Sequence, residues 1–140
     1  MLAKRLVYII IFSFLVNLFW EVSHSLLYKT ITDMSVYEYV PRILQASAGD
    51  IIMVAVIFLA ISAFNKSLQW KINNKKNIIL SIVLGLMLSI GFELFAIYTS
   101  RFEYNPSMPL IPILKVGLTP VLQMILTPLL TFWLAEKVNN

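Results

Sequence analysis

The sequence predicts an all-α protein, a bundle of four transmembrane helices with both termini in the cytoplasm. Three observations carry that prediction. Of 140 residues, 59% are hydrophobic and only 13% charged, where soluble domains carry about 25% charged residues. The mean hydropathy is +0.83. The apolar residues fall into four runs, each close to the ~20 residues that cross a ~30 Å hydrocarbon core.

The first span covers about residues 6–28, behind Lys4 and Arg5. Two basic residues ahead of an apolar core also open a signal peptide. Here no small-x-small cleavage site follows, because the run ends in Phe19, Trp20 and Glu21, so an uncleaved span is the better reading. The second span covers about 43–64, interrupted by Asp50, and the third about 77–100, interrupted by Glu93. The fourth, about 116–135, holds no charge but contains Pro120 and Pro128, from which a kinked helix is expected. Together these make residues 1–140 one integral membrane domain.

Seven basic residues (Lys4, Arg5, Lys66, Lys71, Lys75, Lys76, Lys137) fall on the side of the termini. Lys29, Arg42, Arg101 and Lys115 fall on the other, diluted by Asp33, Glu38 and Glu103. The positive-inside rule then sets an N-in, C-in orientation. The connection from Tyr28 to Arg42, with Tyr37, Tyr39 and Pro41, reads as interfacial. Pro106, Pro109 and Pro112 favour a stiff, extended crossing between spans three and four. Trp70 and Trp133 are expected to anchor the cytoplasmic interface.

The chain has no cysteine, which removes disulfides, thiol redox chemistry and thiolate metal sites. No phosphate loop, zinc spacing or repeat is present, and the basic balance fits topology rather than nucleic-acid binding. No cofactor is expected.

The functional signal lies in the carboxylates. Glu21, Asp50 and Glu93 each interrupt an apolar span, at a cost of about 2.5–3.5 kcal/mol apiece on insertion scales. With the termini inside, all three, with Thr119 and Gln123, fall in the outer third of the bilayer. Asn17, Glu21, His24 and Tyr28 share one helix face. Ser81, Gly85, Ser89 and Glu93 share another, a small-residue row that lets helices approach. Thr119, Gln123, Thr127 and Thr131 make a third. Gly49, beside Asp50, is expected to admit a neighbouring backbone.

Plainer readings exist for each acid. Glu21 and His24 suit a buried pair that locks packing, and Asp50 suits snorkelling to the surface or a helix cap with Ser47 nearby. His24, the single histidine, has no second Glu-x-x-His partner of the kind that builds bundle metal sites, so no metal is expected. Acid/base chemistry is the more natural role. The candidate catalytic residues are therefore Glu21, His24 and Glu93. The candidate ligand-binding residues are Asn17, Asp50, Tyr104, Thr119 and Gln123.

Glu93, the Arg101-Phe102-Glu103-Tyr104 segment, Met108-Pro109, Gly117-Leu118-Thr119-Pro120, Gln123 and Pro128, with Phe19-Trp20-Glu21, form a pattern. It resembles small, uncharacterised bacterial four-span membrane proteins over about a third of the chain. That resemblance implies a bacterial inner-membrane location and no particular activity. By residue type and setting, though not by spacing, Glu21, His24, Asp50 and Glu93 are also similar to the carboxylates, and in the isomerases a histidine, of the emopamil-binding, sterol-isomerase-like superfamily. Such a likeness implies proton shuffling on a lipid in a membrane cavity.

The leading expectation is an outer-leaflet pocket that binds, or acts by acid/base chemistry on, a lipid-like or isoprenoid-like amphiphile. The alternatives are proton-coupled or ion transport as a homodimer or other homo-oligomer, and a helper subunit of a membrane complex.

Overall fold

The computed structural model describes residues 2–139. It is all-helical, with four helices long and apolar enough to cross a membrane. These are α1 (Leu2–His24), α3 (Val36–Asn65), α4 (Lys75–Tyr98) and α5 (Leu118–Asn139). A 3-10 turn (Ser25–Leu27) and the single-turn α2 (Lys29–Thr32) join α1 to α3. The long helices alternate in direction around a ring: α1 packs on α3 and α5, and α4 packs closely on α5 and only loosely on α3.

The buried faces of α1 and α4 are mostly polar or small, α3 and α5 add an apolar core of Val54, Ile57, Phe58, Ile61 and Phe132, and the exposed faces are apolar. On α1 the inward row is Arg5, Ile9, Ser13, Asn17 and His24; on α4 it is Asn77, Ser81, Gly85, Ser89, Glu93 and Ala96. Outside stand residues such as Phe19, Ile52 and Met87. This inverts the soluble pattern and suits a hydrocarbon solvent, in which helix packing rests on close approach and interhelical hydrogen bonds.

α4 approaches α5 closely at Gly85. A Cβ built there would collide with the carbonyl oxygen of Met124. Met124 is four residues before Pro128, so its carbonyl lacks the usual i+4 N–H donor. One proline thus leaves a backbone oxygen free, and the facing glycine lets α4 close onto it.

Several sequence expectations are corrected. Gly49 meets no heavy atom within 4 Å of a built Cβ; it borders open space rather than another backbone. Trp70 is buried instead of interfacial. Its indole N–H donates to Ser62 Oγ at 2.8 Å, and its ring packs on Phe132 and Phe58. Arg5 stacks on Trp70, with Cζ 5.1 Å from the ring centroid, and pairs with Glu136 at 3.3 Å. The basic connection between α3 and α4 therefore folds back as a plug in the end of the bundle that carries the termini. Trp133 is half-exposed.

α3 begins two turns earlier than the apolar run. The Glu38 carboxylate reaches back to Ser35, accepting from its N–H at 2.9 Å and from its hydroxyl at 2.7 Å, which satisfies helix-start donors. Asp50 consequently lies mid-helix and caps nothing. Pro120 falls in the first turn of α5, where its missing N–H has no intrahelical partner to lose, so it kinks nothing. Pro128 is the proline inside the helix.

At the other end the two long connections knit together. Lys29 N–H donates to the Glu103 carbonyl at 2.9 Å and Asn105 N–H to the Leu27 carbonyl at 2.8 Å. Tyr28, Phe102 and Tyr104 stack beneath them.

Candidate functional site

Gln123 projects from α5 into the bundle centre, one turn after Thr119. Its Nε2 lies 2.8 Å from Asp50 Oδ2, 3.0 Å from Glu21 Oε1 and 3.1 Å from Asn17 Oδ1. Three helices thereby meet on one nitrogen. A primary amide has two protons, so three acceptors share two donors, and no N–H remains for a ligand. Reversing the amide would set its oxygen against three oxygens, so chemistry fixes its orientation. Asn17 is held in turn, its Nδ2 donating to the Ser13 carbonyl at 2.9 Å.

His24 braces this group from behind. Its Nε2 faces Glu21 Oε1 at 3.3 Å and its Nδ1 faces Thr119 Oγ1 at 3.1 Å. A nitrogen against a carboxylate carries the proton, so neutral His24 is the Nε2–H tautomer and accepts from Thr119 at Nδ1. A T-shaped contact with Tyr28 fixes the ring plane.

Glu93 belongs to a second set. The Tyr104 hydroxyl donates to Glu93 Oε2 and accepts from Gly117 N–H at 2.9 Å. Burial first, then the bond to Glu93, raises the Tyr104 phenol above its usual range. Tyr104 thus stays a donor at neutral pH.

Both sets border one cavity of about 470 Å³, within the ~300–1,000 Å³ typical of small-molecule sites. Glu21, Asp50, Glu93 and Gln123 line it. It lies where α3 and α4 separate: Gly49, Ile52 and Met53 form one wall, and Ser89, Phe92 and Ala96 the other. Pro120, Gln123 and Met124 of α5 line it from a third side. The walls are apolar and the acids are gathered on them, an arrangement able to hold a hydrophobic chain against proton donors and acceptors.

Of the sequence-predicted site residues, Asn17, His24, Tyr104 and Thr119 do not line the cavity. Each instead holds a side chain that does, or holds another residue of that network. Two arginines were missed by sequence reasoning: Arg42 and Arg101 also line the cavity. Arg101 stood in the motif with Tyr104, and Arg42 follows Pro41 where the capping box had already begun α3. Among the described residues no group of three acids or histidines is placed to hold a metal ion.

No protein-family model, curated protein or solved structure matches this chain.

Proposed function

We propose that this is an integral membrane protein that takes a lipid-like or isoprenoid-like amphiphile from the bilayer into the cavity between α3 and α4, where Glu21, Asp50 and Glu93 serve as proton donors and acceptors. The observation that carries the reading is the meeting of three acids, from three apolar helices, on one ligand-sized cavity with apolar walls. Ionisable groups in such helices are expensive unless used. Glu21 and Asp50, sharing one amide donor, are arranged to hold a proton between them, and Glu93 is positioned separately by Tyr104. A proton given to one alkene carbon by one group, and removed by another from the allylic carbon attached to the other alkene carbon, would shift the double bond by one position with no net consumption of protons.

The Lys and Arg distribution supports termini in the cytoplasm and a cavity in the outer leaflet, and the motif resemblance adds a bacterial inner membrane as the proposed location. The chain lacks cysteine, so single-cysteine variants at Lys71 and Lys115 test this directly. Impermeant thiol labelling of intact spheroplasts should reach Lys115→Cys and spare Lys71→Cys; the reverse pattern would invert the topology.

The functional test uses a labelled isoprenoid alcohol and the protein in neutral maltoside micelles. Gly49→Trp, which projects a ring into open space, should abolish retention while the melting temperature holds. Glu21→Gln and Glu93→Gln should fold, and each should stop deuterium transfer from heavy water to the bound chain. Retention unaffected by Gly49→Trp would remove the pocket, and unchanged deuteration in both acid variants would remove the chemistry.

A second reading, proton transport by a homo-oligomer, draws on one observation. The hydroxyls of Ser81, Thr127 and Thr131 are buried without hydrogen-bond partners, in a column running from the acids towards the termini. Polar groups of this kind ordinarily hold water. Proton flux into proteoliposomes, lost in Thr127→Val, would favour transport; no flux in the wild type removes it.

A further inference from the structure

The two arginines on the cavity are the feature that the proposed chemistry leaves unused. Four basic residues sit at this end of the bundle. Lys29 bonds Glu103 at 3.1 Å and is exposed, and Lys115 does not reach the cavity. Arg42 and Arg101 both line it, and among the described residues neither is paired with a carboxylate. Among the described residues Arg42 hydrogen-bonds only Gln45, at 3.4 Å, and Arg101 stacks on Phe95. The nearby acids are not free to neutralise them, since Glu21, Asp50 and Glu93 are bonded to Gln123, His24 and Tyr104.

Their placement is regular. Arg42 stands eight residues before Asp50 on α3, and Arg101 eight residues after Glu93 beyond α4. These are the two helices that flank the opening, and in both cases the arginine is on the side of the knitted connections. At 1.5 Å per residue, Arg42 is about 12 Å along the axis from Asp50. The cavity therefore has a layer of acids deeper in the bundle and a pair of guanidinium groups at its mouth, with Ile43, Ala46 and Ala96 between them along the two helices.

We infer that the mouth of this cavity binds a phosphate headgroup, held between Arg42 and Arg101, so that the amphiphile of the proposed function is a phosphorylated lipid whose chain passes the acids. The inference rests on that proposed pocket. Guanidinium suits such a headgroup better than ammonium does. Its planar fork of donors matches phosphate oxygens, it holds its charge at any physiological pH, and it is less strongly hydrated. Two such groups on the mouth of the cavity, neither paired with a carboxylate among the described residues, favour an anion at the point where an amphiphile's polar end would lie. The headgroup would satisfy both arginines and close the gap between α3 and α4 at its outer edge.

The test compares dodecyl phosphate, dodecanol and inorganic phosphate as probes of the full-length protein in neutral maltoside micelles, with the labelled form of each alkyl probe read by scintillation proximity. The expected result is that dodecyl phosphate binds at least about tenfold more tightly than dodecanol, and that Arg42→Gln and Arg101→Gln each reduce this preference and together abolish it. Dodecanol binding and melting temperature should be unchanged in both variants. Inorganic phosphate should not displace dodecyl phosphate; displacement at equal concentration would overturn the lipid source and leave a free-anion site. Equal binding of the two alkyl probes, still blocked by Gly49→Trp, would overturn the headgroup inference while the pocket stands. Binding of neither would overturn the pocket and this inference together.

Discussion

Gln123 donates to Asp50 across the bundle at 2.8 Å, joining α5 to α3, two helices that otherwise touch little. The same nitrogen serves Glu21 and Asn17 of α1, so one side chain ties three helices at the level of the cavity. Gln123→Leu keeps the volume and removes every donor. Interhelical hydrogen bonds in membranes average about 0.6 kcal/mol and reach about 1.7, so the loss of this hub is expected to destabilise the bundle by about 2 kcal/mol. An earlier midpoint in unfolding by dodecyl sulfate checks this, and an unchanged midpoint would show that the amide does not hold the helices.

The glycines separate packing from space. Gly85→Ala places a Cβ against the Met124 carbonyl, where backbone cannot yield without α4 moving from α5. Overpacking of this kind typically costs about 1–3 kcal/mol. Gly49→Ala enters open space and, in a helix interior, should stabilise by about 0.5–1 kcal/mol. Opposite shifts in melting temperature for these two variants are the expected outcome, and similar shifts would contradict the packing described above.

At the termini end, Arg5 is buried against Phe58 and Trp70 and shares Glu136 with the Ile72 N–H. Arg5→Met should cost about 1–3 kcal/mol, since Glu136 loses its cation while remaining in place. The double change Arg5→Met with Glu136→Leu is expected to recover part of that loss, because removing both partners of a buried pair is milder than removing one. A double variant less stable than Arg5→Met would instead mark the Glu136–Ile72 bond as the dominant anchor of the plug.

The helices, and the inward rows on α1, α4 and α5, were legible because side chains four apart share a face whatever surrounds them. Thus Asn17 and Glu21, or Ser89 and Glu93, could be grouped from spacing alone. Which helices would stand apart was not legible, since spacing along one helix carries no information on how tightly two neighbours close. A pocket was expected, but its place between α3 and α4, and with it Arg42 and Arg101, therefore escaped the sequence reading. The plug built on Trp70 was hidden by the lysines around it, which read as a solvated, cytoplasmic connection. The early start of α3 was in principle readable, because Ser35 followed three residues later by Glu38 is a helix-start pattern.

Tyr104 provides a pH-dependent check on the second half of the site. Its phenol is raised above the usual value by burial and then by the bond to Glu93, against an unperturbed value of about 10. A group whose folded value is raised holds its proton more tightly in the folded state, so its contribution to stability is complete below about pH 10 and is lost as pH climbs through the folded value. Between neutrality and about pH 9 no change is expected from this residue. In an absorbance titration at the tyrosinate band, wild type and Tyr104→Phe should superimpose through about pH 11, because the residue removed is one that has not yet ionised. Glu93→Gln, which takes away the carboxylate but leaves an acceptor, should lower the Tyr104 transition only part of the way, because burial remains, and the Glu93→Gln, Tyr104→Phe double variant should lack that shifted step. A Tyr104→Phe curve that loses one tyrosine's share of amplitude near pH 10 would mean that the phenol is solvated and does not hold Glu93 at the cavity wall.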